Sequence, residues 1–207
     1  VYKRQILTKP VPRFEYLIGK LLGILFLVAV SLVLMSILFF AVLYIRQYGI
    51  LAEETNQIRG QPTGEQLSSI KETIFSQGLR FELLNGVIAI FLKASVAAAI
   101  ALVVSTFASS TLFTIIVSLV IYFIGHAQSM ALTYYFPEGD MHGALQRFIA
   151  GIVAIMFPNL QMYNVVDGIV SGQSVPFALM ARLTGLTGFY LVIYSFVSWM
   201  LFAKKEL

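Results

Sequence analysis

The chain of 207 residues contains no cysteine. Disulfides, thiol catalysis and cysteine-based metal sites are therefore excluded. Charge is scarce as well: Asp, Glu, Lys and Arg make up 12% of the residues, where a soluble domain carries roughly 25%. Hydrophobic residues reach 58%, more apolar surface than a water-soluble fold can hide, so the class is a polytopic membrane protein. Carboxylates are missing from every long apolar run, which argues against a proton- or sodium-coupled carrier, where such groups form the relay. No Gly-x-x-x-x-Gly-Lys-Ser/Thr occurs, so the chain does not itself bind ATP through a P-loop. Gly19-Lys20 lacks both the upstream glycine and the following hydroxyl. Gly-x-Ser-x-Gly, His-Glu-x-x-His and an intramembrane Asp pair are also absent, and nothing places His126 beside a serine for hydrolysis.

What charge there is lies unevenly. The formal net charge is +4, and its excess sits in residues 1–20, where Lys3, Arg4, Lys9, Arg13 and Lys20 face a single Glu15. This is the distribution of a cytoplasmic flank under the positive-inside rule, not of a nucleic-acid-binding surface. Pro10 and Pro12 break the segment and bias the residues before them toward extended geometry. The spacing predicts a short interfacial helix followed by a turn, with Val1, Ile6 and Leu7 as its apolar side. Such a helix suits a groove on another protein. Gly19 is expected to allow close packing where the chain enters the bilayer.

Four spans are predicted, at 21–45, 83–104, 111–125 and 183–203. The first is uncharged and long enough to cross a ~30 Å hydrocarbon core with some tilt. Its serines, Ser31 and Ser36, are expected to return their hydroxyls to the backbone. Residues 46–82 form a near-neutral outer loop with an amphipathic helix near 64–77. The second span contains Lys93, a charge that costs at least ~2.5–3.5 kcal/mol at that depth unless it snorkels or pairs. Its neighbours Ala94, Ser95, Ala97, Ala98 and Ala99 are small and favour close helix packing. Lys93 is read either as a packing and pairing residue or as a cation on a translocation path. A Ser-Thr-rich turn, 105–111, leads to the third span, which Gly125-His126 is expected to close. Residues 126–182 form an outer region. His142 and Asp140 within it match no metal-ligand spacing. The apolar run 148–158 is too short to cross and reads as a re-entrant helix, with Asn159, Gln161 and Asn164 available to cover its backbone. The last span ends in a basic, cytoplasmic tail.

Several of these stretches carry a resemblance. The pattern Leu7-Thr8-Lys9-Pro10-Val11-x-Arg13-x-Glu15-Tyr16-Leu17-Ile18-Gly19-Lys20 resembles the cytoplasmic segment of ABC transporter permeases of the type-2 (exporter) class, in particular the copper-site-assembly and multidrug-export types. The Ser-Thr turn, Gly125-His126, Pro158-Asn159-Leu160 and the basic end are similar to the same family, in the same order along nearly the whole chain. The resemblance implies an all-α, polytopic helical bundle in a single transmembrane domain. It implies an N-terminal coupling helix, a pair of short helices dipping into the outer leaflet before the last span, and two further spans upstream of residue 1. Arg4, Thr8, Lys9, Pro10, Arg13 and Glu15 would then contact a partner ATPase, with Gly19 and Lys20 marking entry to the span and Pro158 and Asn159 the re-entrant turn. The chain itself would hold no cofactor, because ATP and Mg would be bound by a pair of ATPase subunits. A second permease copy, identical or a sister, would complete the path, and an extracytoplasmic accessory protein could join it in the bacterial inner membrane. The runner-up reading is a non-transporting membrane scaffold; a third is an intramembrane enzyme acting on lipids.

Overall fold

The computed structural model describes residues 13–57, 82–135, 157–171 and 173–203. Among these, every regular element is helical. The elements are α1 (Arg13–Gln57), α2 (Glu82–Phe107), α3 (Thr111–Tyr135), a 3-10 turn (Leu160–Tyr163), α4 (Val166–Val170) and α5 (Phe177–Ala203). Four of them, α1, α2, α3 and α5, are long and apolar enough to cross a membrane, and the chain is a helical membrane protein.

The first helix is longer than its hydrophobic core requires. With 45 residues it extends roughly 67 Å at 1.5 Å per residue, about twice the ~30 Å hydrocarbon thickness. The span expected at 21–45 is therefore only its middle. No proline follows Pro12 until Pro62, so nothing interrupts the hydrogen-bond ladder, and Glu15, Lys20, Arg46 and Glu53 are exposed along it. The third helix also runs beyond its expected end, through Gly125-His126 to Tyr135. A glycine inside a helix costs only about 1 kcal/mol, too little to end one. Ser110 starts that helix by accepting a bond from the backbone N–H of Phe113 through its hydroxyl, at 3.2 Å. The amphipathic helix expected near 64–77 lies outside the described residues. So does the helix expected at 148–158, apart from Phe157 and Pro158, which are not helical.

α2 is the hub of the bundle, packing against α1, α3, α4, α5 and the 3-10 turn. Its small side chains permit this: Ala89 and Ala99 are completely buried and Ser95 nearly so, letting neighbouring backbones approach. One apolar cluster joins Val96, Ile100 and Val104 of α2 to Leu183 of α5 and to Leu160 and Tyr163 of the 3-10 turn. A second joins Leu17 and Leu21 of α1 to Ala99 and Leu102 of α2. Phe14 meets Trp199 edge-on and Tyr16 stacks on Phe202, each with ring centroids 6.3 Å apart. The start of α1 thus lies beside the end of α5, and the two helices run antiparallel. Three hydroxyls within the spans are satisfied by the backbone one turn earlier. Ser36 donates to the Leu32 carbonyl at 2.7 Å, Ser95 to that of Phe91 at 2.7 Å, and Thr184 to that of Met180 at 2.9 Å.

Candidate functional site

Between α3 and α5 the chain dips into the bundle. A Cβ built on Gly125 would meet the Pro158 carbonyl oxygen at 2.7 Å and the Leu160 side chain at 3.2 Å. Gly125 lies roughly 15 Å along α3 from its C-terminal end at Tyr135, so residues 158–160 reach well below that end of the helix. On the opposite side, the buried Tyr163 hydroxyl is 2.9 Å from Thr187 Oγ1. Thr187 spends its single proton on the Leu183 carbonyl at 2.9 Å, so the phenol is the donor to Thr187. Burial pushes the Tyr163 phenol above its ordinary range. Thr187 is roughly 15 Å down α5 from Phe177. Asn159 shapes the turn by accepting the Gln161 backbone N–H at 3.1 Å. Beyond it, Asn164 donates to the Asp167 carboxylate at 3.2 Å, and α4 lies over the N-terminal end of α2, with Ile169 Cδ1 3.4 Å from a Cβ built on Gly86.

The second feature is polar and lies between α2 and α3. Lys93 is half-buried near the middle of α2, and its Nζ stands 5.9 Å above the centroid of the Tyr122 ring, within cation–π range. Tyr122 stacks in turn on His126, with centroids 6.0 Å apart and an 11° angle between the rings. His126 Nδ1 and Ser118 Oγ are buried and find no hydrogen-bond partner among the described residues. Thr114, Ser118, Tyr122 and His126 recur every four residues and form one slanting polar stripe on a stretch, 112–127, that is otherwise apolar. Separately, an apolar cleft of about 550 Å³ lies between α2, α3 and α5, walled by Val104, Phe107, Ile121, Ile124, Tyr194 and Val197.

The sequence-predicted residues divide between separate places. Arg4, Thr8, Lys9 and Pro10 lie outside the described residues. Arg13 opens α1, and Glu15, Gly19 and Lys20 are exposed on its first turns. The close packing expected at Gly19 is not there: among the described residues, nothing lies within 4 Å of a Cβ built on it. Pro158 is fully buried and Asn159 half-buried. Among the described residues no group of three or more His, Asp or Glu could hold a metal ion. Sequence reasoning missed Ser118, Tyr122, Thr187 and the contact between Gly125 and Pro158. The four-residue recurrence of hydroxyl and ring-polar residues in α3 was the available signal for the first two. Comparison with known proteins yields no family model, no curated protein and no solved structure that matches this chain.

Proposed function

We propose that this chain is the membrane-spanning permease subunit of an ATP-driven exporter of the ABC type-2 kind, in a bacterial inner membrane. The observation that carries the reading is the contact of Gly125 with Pro158. Gly125-His126 and Pro158-Asn159 are separate motifs of the resemblance, distant in sequence. A segment dipping between the last two spans requires a seat of this kind.

The working cycle on this reading follows from the helices. Residues 1–16 dock on a partner ATPase, which binds ATP and Mg. Closure of two such ATPases pushes on the start of α1, which is clamped to the end of α5 by the Phe14–Trp199 and Tyr16–Phe202 pairs. The spans then shift between inward- and outward-facing arrangements. Most of the apolar surface of α1 is left uncovered by the other described residues, Phe26 and Ile45 being 72% and 70% exposed. That surface is available to lipid and to a second permease copy, with the substrate between the copies.

The test is purification of the native complex in mild detergent with identification of every chain present. The expected result is a co-purifying P-loop ATPase that is lost when Arg4 and Arg13 are both changed to Glu. A stable complex without any ATPase would remove the permease reading and put the scaffold reading in its place.

A further inference from the structure

Lys93 is the only charged residue near the middle of a span among the described residues; Glu15, Lys20, Arg46, Glu53, Glu82 and Arg182 all sit toward helix ends. No carboxylate among the described residues lies near it to neutralise it. Its one aromatic neighbour, Tyr122, belongs to the Thr114–His126 stripe, which adds hydroxyl and imidazole groups along the same side of α3. A lone cation beside several hydrogen-bonding groups, two of them buried and unpaired, is complementary to an oxyanion. The apolar cleft begins on the same face of α2: Ile100, Val104 and Phe107 follow Lys93 at helical spacing. Ile100 lies roughly 10 Å further along the axis.

We propose that Lys93, Tyr122, Ser118 and His126 bind the phosphate group of an anionic amphiphile, whose hydrocarbon chain occupies the cleft between α2, α3 and α5. The cation and hydroxyls recognise the head, and the cleft, with its single hydroxyl at Tyr194, admits only the tail. Movement of that amphiphile across the membrane rests on the permease reading above, but its binding does not. The two can therefore fail separately.

The experiment uses the full chain, purified in non-ionic detergent without any ATPase and exposed to equimolar phosphatidate and phosphatidylcholine with identical acyl chains. Native mass spectrometry counts the lipid retained. The wild-type chain is expected to hold phosphatidate about ten-fold over phosphatidylcholine, as one charge-assisted contact warrants. Lys93→Gln should bring the ratio close to unity, Lys93→Arg should keep it, and Ser118→Ala and His126→Gln should each lower it several-fold. If Lys93→Gln does not fold, the last three variants still decide. Displacement of phosphatidate by millimolar inorganic phosphate would bear out the oxyanion site and assign it to a free anion; retention would assign it to the lipid. Equal retention of both lipids by the wild type, or a preference unchanged in the Lys93→Gln and His126→Gln variants, would overturn the proposal.

Discussion

Gly125 and the carbonyl of Pro158 are so close that a methyl group on the glycine would lie 2.7 Å from that oxygen. The obstacle is backbone, not a flexible side chain, so the dipping segment must move to admit it. Gly125→Ala should therefore lower thermal stability in detergent, by about 1–3 kcal/mol as for other overpacked sites. Gly188→Ala is the control, because among the described residues nothing lies within 4 Å of a Cβ there, and it should be neutral or stabilising by up to about 1 kcal/mol. Equal melting temperatures for the two variants would refute the seat.

The pair formed by Tyr163 and Thr187 predicts an asymmetry. Removing the phenol hydroxyl in Tyr163→Phe leaves Thr187 still bonded to the Leu183 carbonyl, so the loss should be about 0.5–1.5 kcal/mol. Thr187→Val strands a buried phenol and should cost more, about 1–3 kcal/mol. The ranking of melting temperatures checks this, and a less stable Tyr163→Phe would reverse the donor assignment.

Lys93 should be a stability liability. Its cation–π contact is worth about 0.5–2 kcal/mol, against a membrane cost of at least ~2.5–3.5 kcal/mol. Lys93→Leu is thus expected to raise the melting temperature while abolishing any preference for acidic lipid. A variant less stable than wild type would mean that the ammonium has a structural partner.

Trp199 is the sole tryptophan of the chain, and Phe14 lies against it. Its fluorescence therefore reports on the junction of α1 and α5. Phe14→Ala should shift the emission maximum of the isolated chain. If the proposed permease reading holds, addition of a partner ATPase should also shift it in wild type, and much less when Arg4 and Arg13 are reversed to Glu. An emission spectrum indifferent to the ATPase would argue against coupling through this junction.

Much of the fold is written in hydropathy alone. Long apolar runs beginning near Leu21, Leu83, Leu112 and Leu183 locate the four spans, because lipid tolerates little else than a helix there. Their ends were not legible. Hydropathy falls at Arg46, but the helix continues to Gln57, since backbone hydrogen bonding is indifferent to where lipid stops. The deep contact of Pro158 with Gly125 was equally hidden, because it depends on which helices come together. Lys93 stood out by charge, whereas its neighbours did not: Tyr122 and Ser118 are ordinary residues in a span until the folded chain sets them beside an ammonium group.

The length of α1 has a mechanical meaning. A continuous rod of roughly 67 Å, gripped through Leu17 and Leu21 near one end and backed by an apolar gap of about 260 Å³ against α2 and α4 further along, is a lever with room to swing. Pivoting by about 10° around its midpoint would carry each tip some 6 Å. A small thrust on one side of the membrane would thus arrive on the other as a displacement comparable to a helix turn, with no hinge between Arg13 and Gln57 to absorb it.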